Sequence, residues 1–126
     1  MDNIEKNARE KAEELAKQIA SVLDSKKAVN IKLLKLTDET ILTDYFVIAN
    51  GTSTTHVKNL AGEVEFKLGQ EGIKPAHAEG MAGNSWILLD YTTVIVHVFT
   101  KEARDFYNLE RLWADAEAVE FQASEE

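Results

Sequence analysis

A short unbroken apolar segment at residues 45–49 limits the architectures that this chain of 126 residues can adopt. The segment is too short to form a helix of its own, and it lacks the alternation expected of a strand with one side in water. We therefore predict a central strand that is covered on both faces and that ends at Asn50-Gly51.

Segments on either side of this strand have the periodicity of amphipathic helices. Residues 3–24 place apolar side chains at spacings of three and four between charged ones, as a helix with one buried face does. A second such stripe follows Thr52-Ser53, whose hydroxyls are favourable helix N-caps, and it continues to about Gln70, with Gly72 as a left-handed stop. Residues 28–36 alternate apolar and polar side chains, which predicts a strand.

The second half of the chain predicts a hairpin followed by a third helix. Residues 86–91 and 94–100 have strand composition and are separated by Thr92-Thr93, although threonine is a poor residue for the positive φ angles of a two-residue turn. A short edge strand is expected near residues 76–79. From Lys101 onward a helical period returns. Its apolar side carries Ala103, Phe106, Tyr107, Leu109 and Trp113, and its side toward water carries Arg104, Glu110 and Arg111.

The charge and composition restrict the classes of function. The formal net charge is -8, from 22 acidic and 14 basic residues, which disfavours broad contact with the phosphate backbone of a nucleic acid. Acidic proteins that act beside nucleic acid usually bind a basic protein there. The chain has no cysteine, which excludes disulfides, thiolate zinc sites and a cysteine nucleophile. We find no membrane span and no secretion signal in the sequence, which favours the cytoplasm.

Two short motifs suggest ligand chemistry, and each has a simpler structural explanation. Gly51-Thr52-Ser53 at a strand-to-helix turn could hold an anion, but without a Walker lysine or further glycines a helix cap is the favoured interpretation. His77-Ala78-Glu79 resembles the histidine and glutamate pair of zinc deaminases, whose partner cysteine motif cannot occur in a chain without cysteine. The three histidines share no spacing typical of metal ligands, so no metal or cofactor is predicted.

One face of the predicted hairpin is a candidate interaction surface. Large aromatic side chains beside a charge are typical of protein interfaces, but the same residues could fill the core beneath the terminal helices. Asp90 and His97 could also approach each other as an acid and histidine pair, for which the sequence supplies no nucleophile. Alternation places Trp86, Leu88 and Asp90 on one side of their strand, and Ile95, His97 and Phe99 on one side of the next.

Six short segments are informative through their order and spacing rather than their composition. They are Asp44-Tyr45-Phe46-Val47-Ile48, Gly51-Thr52-Ser53 with His56-Val57, Glu79-Gly80, Trp86-Ile87-Leu88-Leu89-Asp90-Tyr91, Val94-Ile95-Val96-His97-Val98-Phe99 and Arg104-Asp105-Phe106-Tyr107-Asn108-Leu109-Glu110-Arg111-Leu112-Trp113. Together they closely resemble the ribosomal silencing factors of the Iojap family, and the resemblance covers nearly the whole chain from the first helix to Trp113.

The resemblance implies a fold, a function and a set of contact residues. The fold is a single α/β (α+β) domain at residues 1–113, a nucleotidyltransferase-like mixed sheet flanked by helices. The function is translational repression without catalysis. Such factors bind the large ribosomal subunit through its fourteenth protein, with little direct RNA contact and no membrane, and block the small subunit when nutrients are scarce. Carried over by position, the contact residues are Trp86, Leu88, Asp90, Tyr91 and His97.

The chain departs from the family pattern in two places. The family usually has Gly-Asp after the Asp-Tyr pair, where Thr92-Thr93 stands here. This exchange puts in question the geometry of the hairpin and any contact made by an acidic residue at position 93. Residues 114–126, which carry five acids and no base, lie outside the resemblance, and we expect them to form a flexible acidic tail.

Two other classes of function remain open. A nucleotidyltransferase-like enzyme or nucleotide-binding domain is one, because Gly51-Thr52-Ser53 lies where such enzymes place a Gly-Ser pair. Against it, Glu63 and Glu65 are two residues apart on a predicted helix and cannot hold one Mg²⁺ together. The other is a homodimer through the Trp86 face, which is compatible with silencing if the free protein covers that face.

Overall fold

A mixed sheet of six strands forms the centre of the protein in a computed structural model of the chain. The structure describes residues 3–36, 43–81, 83–112, 114 and 116–121. Helices lie on both faces of the sheet, which confirms the predicted α/β class. Along the chain the elements are α1 Asn3–Ser25, β1 Val29–Lys35, β2 Tyr45–Gly51, α2 Thr54–Gly69, β3 His77–Met81, β4 Trp86–Asp90, β5 Val94–Thr100, α3 Lys101–Tyr107, α4 Leu109–Leu112 and β6 Glu117–Val119.

Strand β2 is the central strand that the apolar segment predicts. The strand order is β3-β4-β5-β2-β1-β6, and all seven residues of β2 are buried. It pairs in parallel with β5 and antiparallel with β1, and the other described pairs are antiparallel. A strand covered on both faces has no polar side to alternate with, which explains its unbroken apolar sequence.

The larger core lies between the sheet and helices α1 and α2. Both helices have the apolar stripes predicted for them, and Ser53 caps α2 by accepting a hydrogen bond of 3.0 Å from the amide of His56. Gly72, with φ of 78°, provides the left-handed stop after α2. Within the described ranges, no helix combines the length and the apolarity needed to cross a bilayer.

The opposite face of the sheet has a smaller core and less cover. Helix α3 packs there through Ala103 against Phe46, Ile48 and Phe99, whereas Trp86 is only partly buried at the edge of this cluster. Because α3 has only seven residues, it cannot cover the full width of the sheet. Among the residues that the structure describes, this face is therefore the more open of the two.

The prediction of one continuous helix after Lys101 is wrong. Asn108 adopts a left-handed conformation, with φ of 46°, and separates α3 from α4. The break changes which side chains are buried: Arg104, predicted to face water, is 8% exposed, and Phe106, predicted to face the core, is 80% exposed. Trp113, predicted on the same apolar stripe, lies outside the described residues.

Strand β6 lies inside the segment that the sequence suggests is an acidic tail. Leu33, Leu34 and Lys35 of β1 pair with Val119, Ala118 and Glu117 of β6, and Phe121 packs against the larger core. A strand of three residues is too short for its alternation to be recognised in a sequence. The boundary drawn at residue 113 therefore falls within the part of the chain that contributes to the sheet.

Candidate protein-binding surface

The register of β4 and β5 places Trp86, Leu88, His97 and Phe99 on the more open face. Trp86 pairs with Phe99, and Leu88 pairs with His97. Paired residues of antiparallel strands point to the same side of a sheet, so these four side chains share one face. The predicted alternation is confirmed, and Trp86 and Leu88 are both half-buried.

Among the described residues, Phe99, Tyr107 and His97 hold Trp86 on this face. Its ring stacks on Phe99 with centroids 5.0 Å apart and lies tilted against Tyr107 at 4.7 Å. Its indole Nε1–H donates a hydrogen bond of 3.2 Å to Nδ1 of His97. Aromatic pairs of this kind contribute about 0.5–1.5 kcal/mol each beyond the area that they bury. Trp86 is therefore a large, partly exposed side chain that is already fixed in one orientation.

His97 lies beneath Trp86 and is not itself a contact surface. It is 4% exposed, and its ring packs edge to face against Phe46 at 4.7 Å. Burial lowers the pKa of His97 to about 4, so the ring is neutral near pH 7. Because Nδ1 accepts from Trp86, the proton resides on Nε2, which has no hydrogen-bond partner among the described residues. The imidazole of His97 is therefore buried within this face.

Phe106 and Tyr107 extend the surface beyond Trp86. Phe106 is 80% exposed, Tyr107 is 41% exposed, and their rings meet edge to face at 5.1 Å. We call the exposed parts of Trp86, Phe106 and Tyr107 the aromatic surface. The sequence predicts Phe106 and Tyr107 on the core side of one continuous helix, which the structure contradicts. The signal that could have corrected this is Asn108, a residue type that readily adopts the left-handed conformation.

Two carboxylates flank the half-buried Leu88 on the same face. Glu79 pairs with Leu88 across the β3–β4 ladder and is hydrogen-bonded by Nε2 of His77 at 2.7 Å. Asp90 accepts a hydrogen bond of 2.7 Å from the amide of Thr92. The face therefore combines an apolar and aromatic centre with acidic groups at its rim.

The acid and histidine pair proposed between Asp90 and His97 is not formed. The cross-strand partner of Asp90 is Ile95, and its carboxylate is turned into the hairpin loop toward Thr92. The ring of His97 is instead bonded to Trp86. The hypothesis of such a pair is wrong because the two residues occupy different rungs of the ladder.

Tyr91 lies apart from the other four candidate residues. It follows Asp90 by one position, so its side chain points to the opposite side of the sheet, where it is 7% exposed within the larger core. Burial, and to a smaller extent the charge of Glu65, raises the pKa of Tyr91 to about 12. The structure thus brings Trp86, Leu88, Asp90 and His97 to one face and excludes Tyr91 from it.

The turn at Gly51-Thr52-Ser53 is occupied by the chain itself. The amide of Thr52 donates a hydrogen bond of 2.9 Å to Nδ1 of His56, whose Nε2 donates to the carbonyl of Lys26 at 2.8 Å. A Cβ on Gly51 would lie 2.9 Å from the amide nitrogen of Val57, so only glycine fits without a shift. These contacts support the interpretation of the motif as a helix cap.

The two carboxylates considered as Mg²⁺ ligands, Glu63 and Glu65, have different neighbours. Glu63 forms an ion pair with Lys26 at 3.8 Å, whereas Glu65 lies near Tyr91. The two carboxylates therefore do not converge on one site. In the described part of the chain, no group of three or more histidine, aspartate or glutamate side chains is arranged to hold a metal ion.

Comparison with known proteins identifies similar chains along most of the length. A family model described as "Ribosomal silencing factor during starvation" matches residues 9–126. A protein from Halalkalibacterium halodurans named "Ribosomal silencing factor RsfS" is 36% identical over 110 residues, which cover 87% of this chain and 94% of that protein. A protein of the same name from Bacillus subtilis is 37% identical over 102 residues, covering 81% of this chain and 86% of the relative.

A solved structure supports the same grouping. The crystal structure of a protein from Chromobacterium violaceum matches with a TM-score of 0.77 and 31% identity, covering 89% of this chain and 92% of the other. The matched family segment includes residues 114–126, which lie outside the six segments that carry the resemblance.

Proposed function

This chain belongs to the ribosomal silencing factor family, and we propose that it represses translation by binding the large ribosomal subunit. In this proposal it binds the fourteenth protein of that subunit, on the side that meets the small subunit, and keeps the two subunits apart. The repression acts in the cytoplasm when nutrients are scarce.

The observation that carries this proposal is the fixed, partly exposed Trp86 at the centre of the aromatic surface. Tryptophan and tyrosine are enriched among the residues that dominate the binding energy of protein interfaces. A side chain already held by Phe99, Tyr107 and His97 loses little further conformational freedom when a partner packs on it. The surface is therefore suited to binding a protein with little rearrangement.

The charge of the chain supports a basic protein as the partner. The net charge is -8, and Glu79 and Asp90 lie on the same face as Trp86 and Leu88. Carboxylates at the rim favour a partner with lysine and arginine around an apolar patch, and they oppose close contact with RNA phosphates. A ribosomal protein that neutralises neighbouring RNA has the required charge.

The mechanism proposed is steric occlusion, and it requires no chemical step. A domain seated on the intersubunit side of the large subunit excludes the small subunit by volume alone. The contacts already made by Thr52, His56 and Glu63 within the chain support a structural role for the segment that resembles a nucleotidyltransferase turn. The residues of the aromatic surface would act through contact area and complementarity.

The same surface is open to a second copy of the chain in the free protein. Phe106, at 80% exposure, and the neighbouring Tyr107 offer apolar area that a homodimer could cover. In this arrangement, binding to the ribosome would compete with dimerisation for Trp86. Dilution would then favour the form that binds the subunit.

Co-sedimentation with isolated ribosomal subunits tests the proposal. We expect the protein to pellet with the large subunit alone and to prevent small subunits from joining when it is added first. A pull-down with the purified fourteenth protein then identifies the contact. Absence of binding to the large subunit at about 10 µM protein, or binding that leaves subunit joining unchanged, would contradict the proposed mechanism.

A further inference from the structure

A second candidate site lies at the carboxyl ends of the two central strands, and it is lined by none of the three side chains of the aromatic surface. Strands β2 and β5 are parallel neighbours, and their carboxyl ends pair at Gly51 and Thr100. Helix α2 follows β2 and packs in the larger core, whereas α3 follows β5 and packs in the smaller core on the other face. Connections that leave adjacent parallel strands toward opposite faces create a crevice at their carboxyl ends, the usual ligand-binding position in open α/β sheets.

A cavity of about 310 Å³ occupies this crevice, and every side chain that lines it is polar or charged. Three of them are cationic, Lys32, Lys101 and Arg104, and two are carboxylates, Asp105 and Glu110. The cavity is thus locally cationic in a chain whose net charge is -8. Its volume is at the lower end of the range for small-molecule sites, which suits a mononucleotide or a sugar phosphate.

The most deeply buried cation in the cavity is fixed in position by the chain. Arg104 is 8% exposed, and it donates from Nε to Glu110 at 2.8 Å and from Nη1 to the carbonyl of Asn30 at 2.6 Å. Nη1 also donates to the side-chain oxygen of Asn50. Asn30 reaches Arg104 from a left-handed conformation, with φ of 51°, at an irregularity in the β1–β2 ladder. The guanidinium is therefore oriented before any ligand arrives.

The charges within this network do not balance. Glu110 is shared by Arg104 and by Lys32, whose Nζ lies 2.7 Å from it, so one carboxylate serves two cations. Burial alone would raise the pKa of Glu110, but the hydrogen bonds from Lys32 and Arg104 outweigh it, and the pKa lies below its ordinary value. The carboxylate is thus held in its charged form, and one positive charge is left over.

Within the described part of the chain, two donors in the cavity have no acceptor. Among the described residues, none is hydrogen-bonded to Nη2 of Arg104, and none forms an ion pair with Lys101. A guanidinium edge and a nearby ammonium together suit the oxygens of a phosphate group. Asp105 and Asn108 line the same cavity and can accept hydrogen bonds from hydroxyl groups.

We propose that this cavity binds a small phosphorylated ligand of about mononucleotide size, with its phosphate on Arg104 and Lys101 and its hydroxyl groups toward Asp105 and Asn108. The side chains that line the cavity are different from the three that form the aromatic surface. The inference does not depend on the proposed ribosomal function.

Titration of the isotopically labelled full chain with AMP, ribose 5-phosphate, inorganic phosphate and adenosine tests this inference by NMR. We expect AMP and ribose 5-phosphate to bind saturably and more tightly than inorganic phosphate, with shift changes centred on the amides of Asn30, Asn50 and α3. Adenosine, which has no phosphate, should cause no such changes.

The matched variants are Lys101→Gln and Lys58→Gln, since both lysines are exposed and neither forms an ion pair with a described residue. We expect Lys101→Gln to weaken AMP binding about tenfold and Lys58→Gln to leave it unchanged. No saturable binding of the phosphorylated probes up to about 10 mM, or equal weakening by both variants, would overturn the proposal. So would equal affinity for inorganic phosphate and AMP. Because the readout is ligand binding by the isolated protein, a negative result leaves the ribosomal proposal intact.

Discussion

The indole of Trp86 donates a hydrogen bond of 3.2 Å to the imidazole of His97 on the neighbouring strand. This bond requires an unprotonated Nδ1. The orientation of the Trp86 ring therefore depends on the charge state of a buried histidine. His97 is therefore better described as a residue that positions Trp86 than as one that touches a partner. The consequence is a link between pH, stability and the aromatic surface.

We predict that the protein loses stability as the pH falls from about 6.5 to about 4, because of His97. Burial lowers the folded-state pKa from 6.5 to about 4. Between these values the unfolded chain binds a proton that the folded chain does not. The free energy of unfolding therefore decreases as the pH is lowered. At 1.36 kcal/mol per unit, the contribution lost over this window is about 3 kcal/mol. Urea unfolding at a series of pH values measures it.

The histidine ring signals in NMR provide the direct check. We expect the signal that disappears in His97→Gln to titrate near pH 4, and the stability of that variant to depend less on pH between 6.5 and 4. A His97 signal that titrates near 6.5 would contradict the assignment, because a ring protonated there could not accept from Trp86.

Replacing Trp86 with alanine should weaken binding to the large ribosomal subunit. The variant removes a fixed aromatic side chain from the centre of the aromatic surface, and such residues contribute about 2 kcal/mol or more at protein interfaces. We expect an increase of about 30-fold in the dissociation constant, measured by co-sedimentation across a protein titration.

Phe66→Ala is the matched control for Trp86→Ala. Phe66 is 59% exposed on α2, a helix that lies on the other side of the sheet, so its loss removes a comparable exposed ring from a remote position. We expect unchanged subunit binding for this variant. Equal binding by Trp86→Ala and the original chain, with both folded by circular dichroism, would remove Trp86 from the proposed contact.

The sequence was sufficient to predict strands β1 to β5, and the two faces of β4, because the signal for each is local. Alternation with a period of two places Trp86 and Leu88 on one side of β4, and a slip of one residue would turn every side chain to the wrong face. The unbroken apolar segment in β2 is likewise a local signal, because a strand that is buried on both faces has no polar side. These features need no knowledge of distant parts of the chain.

The features that the sequence did not predict depend on distant partners. Arg104 is buried because Asn30, Asn50 and Glu110 converge on it, and two of these residues are more than 50 positions away. Phe106 is 80% exposed although Ala103, one turn earlier on α3, is buried. Strand β6 requires the exposed edge of β1 as its template. A residue pattern alone contains none of these relationships.

Tyr91→Phe should leave subunit binding unchanged, even though Tyr91 is among the residues that the family resemblance suggested. Its side chain lies in the core on the opposite face, and its buried hydroxyl has no hydrogen-bond partner among the described residues. Removing an unpaired buried hydroxyl should keep or raise the free energy of unfolding, by about 1 kcal/mol. Urea unfolding and co-sedimentation of the same preparation measure both effects.

The alkaline limb of the stability profile gives a second readout for Tyr91. Because its pKa is raised from 10.0 to about 12, its contribution is fully present below pH 10 and is lost as the pH rises toward 12. We expect Tyr91→Phe to lose less stability over that range than the original chain. Weaker subunit binding by a normally folded Tyr91→Phe would show that this residue does reach the contact surface.

Thr92→Gly should stabilise the β4–β5 hairpin. Thr92 has φ of 74°, a conformation that costs about 1–2 kcal/mol for residues with a side chain and that glycine adopts freely. Glycine at this position, which the family resemblance also suggests, keeps the hydrogen bond that the amide of residue 92 donates to the carboxylate of Asp90. The greater freedom of glycine in the unfolded chain offsets part of the gain, so we expect a net increase of about 0.5–1 kcal/mol. Thermal unfolding should show a midpoint higher by about 3 °C.

Thr92→Ala is the control, because it keeps a side chain at the same φ and should gain less stability. A lower midpoint for Thr92→Gly than for Thr92→Ala would show that the left-handed turn is not the source of strain.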